Sequence, residues 1–105
     1  MLKYDINAFV IAEDVLGQSV TQIAASLAVS PKLSTIRGLY WAGNLHESPK
    51  LKLSEAGEEM QKRLEGGEQL GDIVNEICKA IESSGIFPKQ EDAEAADPQA
   101  SPANS

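Results

Sequence analysis

Residues 22–41 read QIAASLAVSPKLSTIRGLYW, and how this stretch divides into helices decides the fold. Just upstream, Ser19 followed three residues later by Gln22 is a capping-box pattern. It predicts a helix with Val20, Ile23, Ala24 and Leu27 on its apolar side and an end near Ala28. Ser30 then opens the next helix, with Pro31 in the first helical position, where a missing N–H costs nothing. Leu33, Ile36 and Tyr40 carry that helix to about Ala42, and Gly43 supplies its C-cap. With Leu33, Ile36, Tyr40 and Gly43 turned inward, a period of about 3.6 residues directs Ser34, Thr35, Gly38, Trp41 and Ala42 outward. Lys32 and Arg37 then lie on the flanks.

Working outward, Asp5 is a good N-cap for a helix carrying Ile6, Phe9, Val10 and Leu16, which Gly17 ends. On the other side the period changes. In KLKL (residues 50–53) Leu51 and Leu53 point one way and Lys50 and Lys52 the other, as in a strand with one wet face. Residues 45–47 are its expected hairpin partner, joined through Ser48 and Pro49. Ser54 caps a further helix with Glu55, Glu58 and Glu59 in its first turns and Ala56, Met60 and Leu64 on its apolar side. After Gly66 and Gly67, the last helix is expected over residues 68–84, with Leu70, Ile73, Val74, Ile77, Cys78 and Ile81 in one stripe.

A chain of 105 residues, 42% hydrophobic and 24% charged, forms one core. The N-terminal apolar patch, residues 6–12, runs into Glu13 and Asp14, so neither a signal peptide nor a membrane span is expected, and a cytoplasmic location is. From Pro88 onward the text is rich in Ala, Pro, Ser and acids, and reads as a disordered acidic tail. The formal net charge is −7, yet it is unevenly spread. Residues 90–105 carry Glu91, Asp92, Glu94 and Asp97 with no cation, whereas residues 30–53 set Lys32, Arg37, Lys50 and Lys52 against Glu47 alone.

Catalysis is not indicated. His46 is the sole histidine and no cysteine or spaced carboxylate lies near it in sequence. Cys78, at helical spacing from Val74 and Ile81, reads as a small buried hydrophobe, and one Cys with one His cannot supply a structural zinc site. The segment EGGEQLG lacks the Lys and Ser/Thr of a nucleotide loop, and neither a metal nor an organic cofactor is implied.

Three stretches carry a family resemblance. SVTQIAASLAVS (residues 19–30) resembles the first helix and turn of helix-turn-helix regulators, and AGNL (residues 42–45) looks like the step by which such domains leave the recognition helix for the wing. LKLSEAGEEM (residues 51–60) is similar to the passage at the end of the wing in regulators of the MarR and PadR kind. The resemblance implies a mainly α winged helix-turn-helix with three helices, a short β-hairpin wing and further C-terminal helices. Residues 1–67 would form the winged-helix domain, 68–87 a dimerisation helix and 88–105 the tail. Departures are Ala28 in place of the glycine common at the turn, and apolar residues at Leu33 and Ile36 one position early.

Two functions follow as expectations. The first is a small transcriptional regulator that binds double-stranded DNA as a homodimer. The resemblance then implies third-helix contacts from Lys32, Ser34, Thr35 and Arg37, and wing contacts from Lys50 and Lys52, with His46 touching phosphate. Leu70, Ile73, Val74, Ile77 and Ile81 would form the dimer seam. The alternative is a protein-interaction module, an adaptor or a phage-type inhibitor, that presents Trp41 above a groove floored by Gly38 and Ala42. No Asn, Gln or Arg sits at the centre of the third helix's expected outer face, so base readout is expected to be modest.

Overall fold

Asp5 starts the first helix as its chemistry predicts: its carboxylate accepts the Ala8 N–H at 2.8 Å, opening α1 (Ile6–Leu16). Gly17 ends α1 in the left-handed region, φ 66°, donating its N–H to Glu13 O at 2.8 Å. Ser19 and Gln22 exchange both bonds of a capping box, which opens α2 (Val20–Val29). The Glu13 carboxylate accepts the Val20 N–H at 2.7 Å and so joins the end of α1 to the start of α2. With α3 (Leu33–Asn44), α4 (Leu53–Glu65) and α5 (Leu70–Ser83), these helices make an all-α architecture. The computed structural model describes residues 1–86; the expected acidic tail, residues 88–105, lies outside them. Among the described residues no helix is long and apolar enough to cross a membrane.

The expected hairpin wing is not formed, and no strand occurs among the described residues. Instead residues 45–52 form turns: Asn44 O accepts the N–H groups of Glu47 and Ser48 at 3.1 and 2.9 Å, and Ser48 O accepts Leu51 N–H at 2.9 Å. Local bonds have taken the groups a ladder would need. Moreover, Leu51 O is engaged by the Trp41 indole at 2.7 Å, and Pro49 has no N–H to offer. Leu53 is not the last residue of a strand but the first of α4, continuing at helical spacing into the buried Ala56 and Met60. Lys52, rather than Ser54, is the N-cap, its N–H held by the Glu55 carboxylate at 2.8 Å.

The third helix also begins later than expected. Ser30 is the C-cap of α2 with φ −160° and ψ 82°, because the residue before a proline is driven out of the helical region, and Lys32 becomes the N-cap of α3. At the other end α3 runs through Gly43 to Asn44, whose side-chain amide donates to Tyr40 O at 2.8 Å.

The core is built around α3, which packs against α1, α4 and α5. Enclosure on three sides buries Thr35, Ile36, Gly38, Leu39, Tyr40, Ala42 and Gly43, most of the helix's circumference. Gly38 admits the end of α1: a Cβ there would stand 2.9 Å from Leu16 Cδ2. Gly43 admits the N-terminal segment, with Tyr4 seated against it, Lys3 N–H donating to Gly43 O at 2.9 Å and Tyr4 Oη donating to Leu39 O at 2.5 Å. Burial pushes the Tyr4 phenol far above its usual range, so it serves as a permanent donor. From α5, Ile73, Ile77 and Ile81 enter the same core. Arg63 of α4 closes the α4–α5 turn by pairing with Glu68 at 2.5 Å and with Glu76, its guanidinium also lying 5.8 Å from the Tyr40 ring centroid.

Candidate functional site

Since the flanks of α3 are covered, only its N-terminal end faces outward. Lys32, Leu33, Ser34 and Arg37 are exposed there, at the N-cap and the first, second and fifth helical positions. Just Ser30, Pro31 and Lys32 separate this end from α2, a connection as tight as that of a helix-turn-helix. Lys32 provides no side-chain cap, so its side chain leaves the first amides of α3 uncapped. Arg37 lays its aliphatic stem across α4, where its Cδ is 3.1 Å from the position a Cβ would take on Gly57.

Trp41 follows Arg37 by one turn and is half-buried. Its indole N–H holds the carbonyl of Leu51, and Lys50 and Lys52, both exposed, flank that residue. The indole bond thereby ties the turn carrying these two lysines to α3 one helical turn beyond Arg37. Among the described residues Lys32, Arg37, Lys50 and Lys52 form no ion pair, in contrast to Arg63 with its two carboxylates. Two of these cations lie at the open end of α3 and two on the turn that follows it, on a chain whose formal charge is −7.

Other expected site residues are not brought to the open end of α3. Thr35 is 3% exposed and faces the core, so it cannot touch a ligand; α3 is covered on the side where solvent was expected. His46 lies beyond the opposite end of α3, with Nδ1 2.9 Å from Gly43 O and Nε2 3.8 Å from the Glu47 carboxylate. Glu47 in turn pairs with the N-terminal ammonium at 2.9 Å, which holds its carboxyl below the usual range. No groove floor exists at Gly38 and Ala42, because both are buried, and Trp41 is a clamp on residues 45–52 rather than a free anchor. Along α5, Ile73, Ile77 and Ile81 are spent in the chain's own core, leaving Leu70 and Val74 half-buried. Cys78 is also half-buried, its thiol pushed up by burial and then by Glu82, which makes it a poor nucleophile.

Two features were missed. Leu33, expected inside, is 65% exposed, and Val29 at the end of α2 is 84% exposed. Leu33 also borders a shallow groove of about 390 Å³ between α3 and α4, lined further by Ser34, Arg37, Met60, Leu64 and Leu70. Leu33 is the first residue of α3 and lies at its open end, so its apolar spacing with Ile36 and Tyr40 does not by itself bury it. A larger groove of about 800 Å³ lies between the N-terminal segment and the end of α5, bordered by Leu2, Tyr4, Ile6, Ala80 and Ile86. Among the described residues no group of His, Cys, Asp and Glu is placed to hold a metal ion. No family model, no curated protein and no solved structure matches the chain.

Proposed function

We propose that this chain is a small DNA-binding regulator of helix-turn-helix type that docks the N-terminal end of α3 on double-stranded DNA. The observation that carries this reading is the exposed N-terminal end of α3, where Lys32, Ser34 and Arg37 follow a tight turn and neither cation has an ion pair among the described residues; Lys50 and Lys52 add exposed charge on the turn that Trp41 ties to α3. Helix-turn-helix proteins contact bases with the N-terminal residues of the recognition helix, the part of α3 that is open here. The cations would hold phosphates and fix the register, while Ser34 would bond to a base edge. Without a wing, Lys50 and Lys52 act from the turn that Trp41 clamps. A homodimer, with two α3 ends about 34 Å apart, remains part of the proposal. Its seam must use surface other than Ile73, Ile77 and Ile81, which are buried within the chain.

Fluorescence anisotropy with random-sequence duplex across a salt series tests the reading. Neutralising four phosphates predicts a log-log slope of about −3.6, and each charge reversal among Lys32, Arg37, Lys50 and Lys52 should reduce it by about 0.9. Absence of binding at low salt overturns the proposal.

A second reading, a protein-interaction module acting as an adaptor or phage-type inhibitor, is favoured by the exposed Leu33, which borders the α3–α4 groove, and by the exposed Val29 at the end of α2. Large apolar side chains at a docking corner are what a protein partner would desolvate. Reversing Lys50 and Lys52 separates the two, since it should weaken DNA binding strongly, lowering the salt slope by about 1.8, and leave an apolar contact at Leu33 largely intact.

A further inference from the structure

Resting on the DNA reading above, we infer that Leu33 is its specificity-determining residue and reads thymine C5-methyl groups, with Val29 as an accessory contact. Leu33 occupies the first position of α3 and is 65% exposed, with Lys32 before it, Ser34 after it and Arg37 one turn on. The open end of α3 therefore presents a large apolar side chain among polar and cationic neighbours in sequence. In the major groove the one apolar group on any base edge is the thymine methyl, which apolar side chains contact. Phosphate contacts from the cations would carry affinity without sequence information, leaving discrimination to Leu33 with Ser34 beside it. Val29, 84% exposed at the end of α2, adds apolar surface on the near side of the turn. Arg37 has its stem committed across α4 at Gly57, which suits it to a phosphate.

The test uses the full chain and short duplexes of alternating dA·dT, of the same sequence with deoxyuridine for thymidine, and of alternating dG·dC with and without 5-methylation of cytosine. Each is measured by anisotropy at low salt. Removing the thymine methyl should weaken binding about fourfold per contact made, and methylating cytosine, which places a methyl at the equivalent groove position, should strengthen it. Leu33→Ala should bring the thymidine-to-deoxyuridine ratio close to one while leaving the salt dependence unchanged. Because Leu33 is exposed, the variant keeps its core, and circular dichroism verifies this. Equal affinity for thymidine and deoxyuridine duplexes, with binding intact, overturns the inference and leaves the DNA reading standing. A ratio that survives Leu33→Ala overturns the assignment to Leu33. Failure to bind any duplex overturns the DNA reading itself, and with it this inference, and assigns Val29 and Leu33 to a protein contact.

Discussion

Replacing Gly43 by alanine should destabilise the protein, although alanine is the better helix former. A Cβ at this position would lie 2.7 Å from Tyr4 Cζ, 2.8 Å from its hydroxyl oxygen and 2.9 Å from Leu2 Cδ2. Ordinary carbon contacts sit at about 3.5–4.0 Å, so the N-terminal segment must give by close to an ångström. The tyrosine has little freedom to do so: it is 3% exposed, stacks on Phe9 with centroids 5.4 Å apart and donates to Leu39 O. Overpacking of this kind costs about 1–3 kcal/mol, and a strained Tyr4 bond adds about 1 kcal/mol, against a gain of about 1 kcal/mol in helix propensity. The net loss is about 1–3 kcal/mol, or about 4–8 °C in Tm for each kcal/mol in a domain of this size. Gly71 is the matched control, because a Cβ there meets nothing within 4 Å. Gly71→Ala should be neutral or stabilise by up to about 1 kcal/mol. Urea unfolding with shared m-values measures both, and amide exchange at Lys3 reports whether its bond to Gly43 O is released. A Gly43→Ala protein as stable as the parent would refute the account of the N-terminal segment as rigidly seated.

Three further outcomes follow from the same geometry. Trp41→Phe removes the donor to Leu51 O and should cost about 0.5–1.5 kcal/mol, with faster proteolysis confined to residues 45–52. Ile77→Ala should cost about 2–5 kcal/mol, since the side chain is fully buried in the chain's own core. Sedimentation of that variant under native conditions should show the parent's association state; a shift with stability preserved would return α5 to the dimer seam. Glu68 is held below its usual 4.5 by Arg63, so its contribution to stability is present above that value and is lost as pH falls through the lower folded-state value. Urea midpoints measured from neutral pH into acid should therefore decline more steeply in the parent than in Arg63→Met.

Helix starts and stops were legible at both ends of α1 and at the start of α2, whereas the equally local cues at Pro31, Gly43 and Ser54 did not set the ends of α3 and α4. Asp5, Ser19 with Gln22, and Gly17 each act on amides or carbonyls within four residues, and each does in the structure what its type predicts. Interpretation failed where tertiary packing chose between local alternatives. Alternation over KLKL is too short to separate a strand from a turn running into a helix, and Leu53 belongs to the stripe of Ala56 and Met60. Which alternative wins depends on the Trp41 indole taking the Leu51 carbonyl, a contact between residues ten apart that no period reveals. For α3 the misleading premise was amphipathicity. A helix enclosed by three others has no outward face along most of its length, and Thr35, Gly38, Ala42 and Gly43 are small because neighbours approach closely. That same enclosure confines any contact by α3 to its first two turns. Leu33 faces solvent there because it is the first residue of α3, at the end that the neighbouring helices leave open, and helical spacing alone does not show where that cover stops.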